Sequence, residues 1–133
     1  MKIAAILALA LGVSIAQEAT RSAKQQGVYT REQAERGRVE YSTHCGSCHK
    51  DDMSGTTEAP PLFGEKFMTA WQESSVNDLY ELVRGTMPYD TPNSLPAKTY
   101  ADIVAAMLQR NGFPAGTEEL RPDTDALKNL SLK

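Results

Sequence analysis

The sequence is poor in the residues from which most catalytic and metal centres are built. Its 133 residues include two cysteines and two histidines. A disulfide-rich scaffold is therefore excluded, since at most one bridge can form. No catalytic acid/base pair or nucleophile constellation supports independent catalysis. Positive charge is not in surplus either. The formal net charge is −3, which argues against nucleic acid or an anionic membrane surface as the main partner. The apolar/polar alternation of strands is absent, as are internal repeats and low-complexity segments. No apolar run reaches the roughly 18 residues needed to span a membrane. The chain leaves no room for a multi-domain enzyme and fits one small domain.

The longest apolar run lies at the start. Met1-Lys2 is a short positive opening, Ile3 to Val13 is apolar apart from Gly12, and Ser14-Ile15-Ala16 supplies the small residues that a signal peptidase needs. This layout predicts a signal peptide over 1–16, cleaved near Ala16, with export to the periplasm and no stable membrane insertion afterwards. No Cys follows the cut, so a lipid-modified start is not expected. Loss of Lys2 makes the mature chain one charge more negative. Loss of the leader also lowers its apolar share. A small domain already has little surface to bury, and a large apolar cofactor would fill that shortfall.

After the leader, 17–28 is polar and without periodicity and reads as a flexible lead-in. Thr30 and Gln33 form a capping-box signature, from which a helix runs to about Tyr41 with Ala34, Gly37, Arg38 and Tyr41 on one stripe. Glycine inside a helix costs about 1 kcal/mol against alanine, so Gly37 points to close approach by another backbone or to simple tolerance. The stretch 43–64 is rich in Gly and Pro and reads as loop, with Ala59-Pro60-Pro61 extended. A short helix is predicted over 65–73 and another over 75–84, the second opened by Ser75 and Asp78 and ended by Gly85. The three prolines of 86–96 make a loop. The clearest helix is 99–111, where Tyr100, Ile103, Val104, Met107 and Leu108 follow a core-facing stripe and Asn111-Gly112 gives the stop. A tail over 117–133 carries a short apolar rhythm at Ala126, Leu127 and Leu130 that suits covering the domain. The fold class is all-α, with long shaped loops.

The chemistry is concentrated in Cys45-Gly46-Ser47-Cys48-His49, the C-x-x-C-H pattern of covalent haem c attachment. Two thiols three positions apart reach the two vinyl groups on one porphyrin edge. Gly46 and Ser47 are small and let the ring lie close to the backbone, and His49 is carried under it to ligate the iron. Three readings compete. A redox-active C-x-x-C is expected in a βαβ setting, a zinc site needs four suitably placed ligands, and a plain disulfide leaves His49 without a purpose.

A sixth ligand has few candidates. His44 sits on the wrong side of the attachment loop and reads as a polar residue near the haem edge. Met53 is tethered too closely to the face of His49, Met68 lies off its helical stripe, and Met107 reads as core packing. Met87 follows a helix stop, precedes Pro88 and opens a proline-rich loop that can cross to the far face. It is the predicted ligand, against the alternative of a loop methionine packed on an open haem. A thioether is soft and favours Fe(II), which raises the potential.

These pieces together resemble a class I cytochrome c over about 28–116. They are Gly37 and Tyr41 ahead of Cys45–His49, then Ala59-Pro60-Pro61-Leu62-Phe63-Gly64, Thr86-Met87-Pro88, and the last helix with Asn111-Gly112-Phe113-Pro114. The resemblance implies three to five helices around one covalent haem, in a domain over 29–116 whose first and last helices cross at Gly37. It implies that the Pro60 carbonyl accepts a hydrogen bond from the second nitrogen of His49 and that Leu62 packs on the ring. Trp71 is placed like the family's aromatic near the propionates, or is simply the largest core residue. One departure is Ala105-Ala106, where many relatives carry an aromatic.

A narrower similarity, over 67–71 and from Gly112 onward, is to cytochrome domains found beside quinoprotein dehydrogenases. It implies a monomeric electron carrier between a periplasmic dehydrogenase and an oxidase or another cytochrome. The alternatives are a haem sensor or peroxidase with an open sixth position, and a dedicated dehydrogenase subunit whose tail after Thr117 is a docking strap.

Overall fold

Thr30 is the residue on which the first helix begins. The Gln33 N–H donates to its hydroxyl at 3.1 Å, and α1 follows over Arg31–His44. The reciprocal half of a capping box is not made, because the Gln33 side chain turns inward and is fully buried. Its Nε2 donates to Asp102 Oδ1 at 3.1 Å and to the Leu120 carbonyl at 3.0 Å, while the Leu120 N–H donates to Oε1 at 2.7 Å. Gln33 therefore joins Ala34, Gly37 and Tyr41 on the buried face of α1. Arg38, placed on that face by spacing, is exposed.

The computed structural model describes residues 21–122 and 125–133. The signal peptide expected over 1–16 and the first residues of the lead-in fall outside them. After α1 come a single helical turn, α2 (Gly46–His49), then α3 (Gly64–Trp71), α4 (Val76–Thr86) and α5 (Ala97–Arg110). The fold is all-α in its framework, as the sequence suggests. Three local readings change. The turn α2 lies inside the stretch expected as loop. Helix α4 continues through Gly85, so that the Met87 N–H still donates to the Val83 carbonyl at 2.9 Å. Helix α5 begins two residues earlier than predicted. At Ser75 the capping box forms in full, with Asp78 N–H to Ser75 Oγ at 3.1 Å and Ser75 N–H to Asp78 Oδ2 at 2.8 Å.

Every residue from Tyr100 to Leu108 is buried, so α5 is the central element, covered on all sides rather than along one stripe. Helix α1 packs across it. A Cβ on Gly37 would lie 1.6 Å from the Asp102 carbonyl oxygen, and this settles the reading of that glycine as close backbone approach. Ala105 and Ala106 are both in the core.

The chain ends are part of the fold. Part of the stretch from Arg21 on, expected as a flexible lead-in, is tied to the fold. Arg21–Ser22 (β1) pairs in parallel with Leu130–Ser131 (β2), and Ala23 is fully buried with its N–H on the Ser131 carbonyl at 2.8 Å. In the tail a helical turn over Asp125–Asn129 precedes β2. Leu120, Leu127, Leu130 and Leu132 are buried; Ala126, expected among the covering residues, is exposed. Two-residue strands are too short to alternate, so their pairing is invisible in the sequence and is fixed by tertiary contact. Among the described residues no helix is long and apolar enough to cross a membrane.

Candidate haem site

His49 is positioned by a loop built to reach it. The α2 turn hangs from the end of α1: the Cys45 N–H donates to the Tyr41 carbonyl at 2.8 Å and the His49 N–H to the Cys45 carbonyl at 2.9 Å. Beyond it Lys50 has a left-handed backbone, and its carbonyl accepts from the buried Tyr41 hydroxyl at 2.9 Å. Burial raises the Tyr41 pKa, aided by the neighbouring charges of Cys45, Asp51 and Asp52, which keeps this hydroxyl a donor. The loop then closes on itself, with Gly55 N–H on the His49 carbonyl and Leu62 N–H on the Met53 carbonyl, both at 2.9 Å. Gly55 has φ +75°, and a Cβ there would lie 2.6 Å from both the Ala59 carbonyl oxygen and the Pro61 nitrogen. A side chain is excluded twice over, and the 59–61 segment can pass close by. The result is that the Pro60 carbonyl meets His49 Nδ1 at 2.9 Å. A carbonyl only accepts, so Nδ1 carries the proton and the Nε2 lone pair is left for a metal.

Cys45, His49, Pro60, Leu62, Trp71 and Met87 all line one cavity of about 280 Å3. Its remaining walls are almost entirely apolar, with Phe67 from α3, Leu79, Leu82 and Val83 from α4, and Ile103 and Met107 from α5. Cys48, the second thiol of the motif, is exposed and is not in the wall; neither cysteine forms a disulfide. Two thiols, an imidazole with its second nitrogen already satisfied, and a thioether in an apolar pocket fit a covalently bound haem. They fit the rivals less well. Burial, with a contribution from Cys48, pushes the Cys45 thiol up to about 11, the reverse of the depressed value of a redox-active thiol. Among the described residues no three His, Cys, Asp or Glu side chains are grouped to hold a metal ion, which leaves the zinc reading without a ligand set.

Of the other ligand candidates, Met107 also lines the cavity, from α5, whereas His44 and Met53 do not. His44 pairs with Glu40 one turn back in α1, at 3.4 Å, and Met53 is buried in the core under the loop. Trp71 is half-buried and packs against Phe67 with ring centroids 6.3 Å apart.

Three contributors were not singled out by sequence reasoning. Leu82 lines the cavity while 50% exposed, so α4 turns a wider apolar face than its core contacts need. The five-residue stripe Val76, Leu79, Tyr80, Leu82, Val83 was the available signal. Lys66, readable as a solvated surface charge or as part of a ring with Lys50, Arg84 and Lys98, is in the cavity wall. Asn111, readable as a helix stop, ties the 62–64 segment to α5. Its Nδ2 donates to the Leu62 carbonyl at 3.0 Å and its Oδ1 accepts from the Gly64 N–H at 3.0 Å.

Five helices among the described residues, with α1 and α4 packed on α5 and a C-x-x-C-H turn opening onto an apolar cavity, define a c-type cytochrome domain. Residues 32–105 match the family described as cytochrome C oxidase, cbb3-type, subunit III, and the chain belongs to that family. It is similar in fold to a chain of the sulfane dehydrogenase SoxCD from Paracoccus pantotrophus, with a TM-score of 0.51 and 21% sequence identity. That alignment covers 82% of this chain, which spans 59% of the length of the SoxCD chain. No curated protein matches the chain.

Proposed function

We propose that the chain is an exported, monomeric carrier of single electrons in the periplasm, with one haem c held by Cys45 and Cys48 and ligated by His49 and Met87. Bound, the haem supplies an iron that cycles between Fe(II) and Fe(III). The observation that carries the reading is the shared cavity of Cys45, His49 and Met87. His49 is oriented by the Pro60 carbonyl, which also strengthens it as a donor. Leu62 is assigned to packing on the ring and Trp71 to the neighbourhood of the haem propionates, and the apolar wall keeps water from the ligands. Met87 stabilises Fe(II) as a soft ligand and so favours a raised potential.

The exposed edge near Cys48 is the side on which partners dock, through the small and short-lived contacts of redox encounters. The donor is a dehydrogenase, of the quinoprotein class by sequence resemblance, and the acceptor an oxidase or another cytochrome. The family's description in terms of an oxidase subunit and the fold likeness to a sulfane dehydrogenase are in keeping with such partners. The cytochrome domain is assigned to 29–116 and the tail to 117–133. Burial of Leu120, Leu127, Leu130 and Leu132 in the chain's own fold favours a free carrier over a subunit with the tail as strap.

The test is an absorption spectrum of protein matured in a periplasm, reduced, with and without carbon monoxide. A low-spin spectrum unchanged by carbon monoxide is expected. A carbon monoxide shift would mean an open iron and would replace the carrier with a sensor or peroxidase.

A further inference from the structure

Tyr100 follows the core stripe in the sequence, but its hydroxyl does something that packing alone does not require. The residue is 1% exposed in the first turn of α5. Its O–H donates to the Met87 carbonyl at 2.7 Å, and its oxygen accepts from the Leu95 N–H at 3.3 Å. These two backbone groups are the two ends of the proline-rich loop that Met87 opens. Met87 and Leu95 are both half-buried, so water does not freely replace the hydroxyl. Taking it away leaves a carbonyl and an amide short of a partner.

Thr91 N–H closes the loop on itself at the Pro88 carbonyl, 3.0 Å away, and the Tyr100 N–H holds its far end at the Pro96 carbonyl, 3.2 Å away; three further hydrogen bonds hold the Met87 side of the loop. Met87 N–H is on the Val83 carbonyl at 2.9 Å, Asn93 N–H is on the Arg84 carbonyl at 3.0 Å, and Arg84 Nε donates to Asn93 Oδ1 at 2.9 Å. All three tie the loop to α4. The Tyr100 hydroxyl ties it to α5, the central helix, which also contributes Ile103 and Met107 to the cavity wall. A thioether is a weak ligand to iron and holds its place only while its backbone is held.

We propose that Tyr100 is the positioning residue for the sixth ligand: its hydroxyl clamps the Met87 backbone to α5 and so sets how readily Met87 yields the iron to a competitor. This rests on the assignment of Met87 as a ligand. The test uses the full haem-loaded protein, oxidised and titrated with imidazole while the absorption spectrum is followed. Tyr100→Phe keeps the ring and removes the clamp. It is expected to bind imidazole about tenfold more tightly than the wild type while retaining a low-spin reduced spectrum.

Tyr29→Phe is the control. Tyr29 is equally buried, but its hydroxyl donates to the Phe113 carbonyl at 2.5 Å, so this variant should titrate like the wild type. Unchanged imidazole affinity in Tyr100→Phe, with increased affinity in Met87→Ala, would overturn the clamp and leave Met87 as ligand. No gain in Met87→Ala would remove the ligand assignment and the clamp with it. Amide hydrogen exchange on the wild type decides the matter if Tyr100→Phe fails to mature. The clamp requires the Leu95 amide to exchange slowly, and rapid exchange there contradicts it.

Discussion

Asp102 and Ile103 are neighbours in α5, yet the surroundings they face are finished in different ways. Around Asp102 the chain completes itself. The carboxylate, 7% exposed, accepts from Gln33, from Arg36 at 3.2 Å and from Lys98 at 3.0 Å. Gln33 in turn holds both backbone groups of Leu120, and Arg36 reaches Glu119 at 2.6 Å. Around Ile103 and Met107 the chain stops short, leaving a cavity walled by apolar side chains and by the residues of the C-x-x-C-H turn and the Met87 loop. One side of the helix is a finished protein interface and the other is shaped for a group that the protein does not make. Stability should therefore be set mainly on the first side and redox behaviour on the second, and substitutions can separate the two.

Gly37→Ala should have the largest effect. The added Cβ meets the backbone of α5, not a flexible side-chain end, so α1 and α5 must move apart. A loss of at least about 3 kcal/mol is expected in chemical denaturation of the haem-loaded protein, with the reduced spectrum of any folded fraction unchanged. A mild loss, under about 1 kcal/mol, would show that the crossing is not tight.

Asp102→Asn should cost less, about 2 kcal/mol at neutral pH, because it removes a buried acceptor of charged hydrogen bonds while keeping its shape. The effect should depend on pH in one direction. Burial alone would raise the Asp102 pKa, but hydrogen bonds from Arg36, Lys98 and Gln33 outweigh it and hold the folded-state value below the ordinary 3.8. A depressed carboxyl pKa stabilises the fold above its unfolded value and loses that contribution as pH falls through the folded one. The gap between wild type and Asp102→Asn should thus be full above about pH 5 and close at lower pH. A gap that stays constant down to pH 2 would assign the loss to packing.

How much of this was legible in the sequence depended on the range of the contacts involved. The helices and the thiol–imidazole motif are local patterns, readable from spacing alone, and Met87, chosen among the methionines by elimination, falls in the cavity wall together with Met107. Pro60 was accessible through family resemblance only, since the backbone carbonyl of a residue carries no signal in its side chain. Gln33, Asn111 and Tyr100 were misread or half-read for one reason: their polar atoms act on partners distant in the chain. Gln33 looks like half a capping box until Leu120 is folded against it. The lead-in from Arg21 looked unstructured because its order comes from two residues of pairing with the tail, whereas in the tail the apolar rhythm marked Leu127 and Leu130, both buried, but not Leu120 or Leu132.

The measurement that bears most directly on this division is the midpoint potential of the haem-loaded protein before and after Met87→Ala. Met87 belongs to the cavity side of α5, so its removal should leave the denaturation midpoint nearly intact. The potential should fall by on the order of 100 mV, within the roughly 0.8 V over which axial ligands set haem potentials. An unchanged potential would contradict the assignment of Met87 as the sixth ligand and with it the account of the cavity as a closed electron-transfer site.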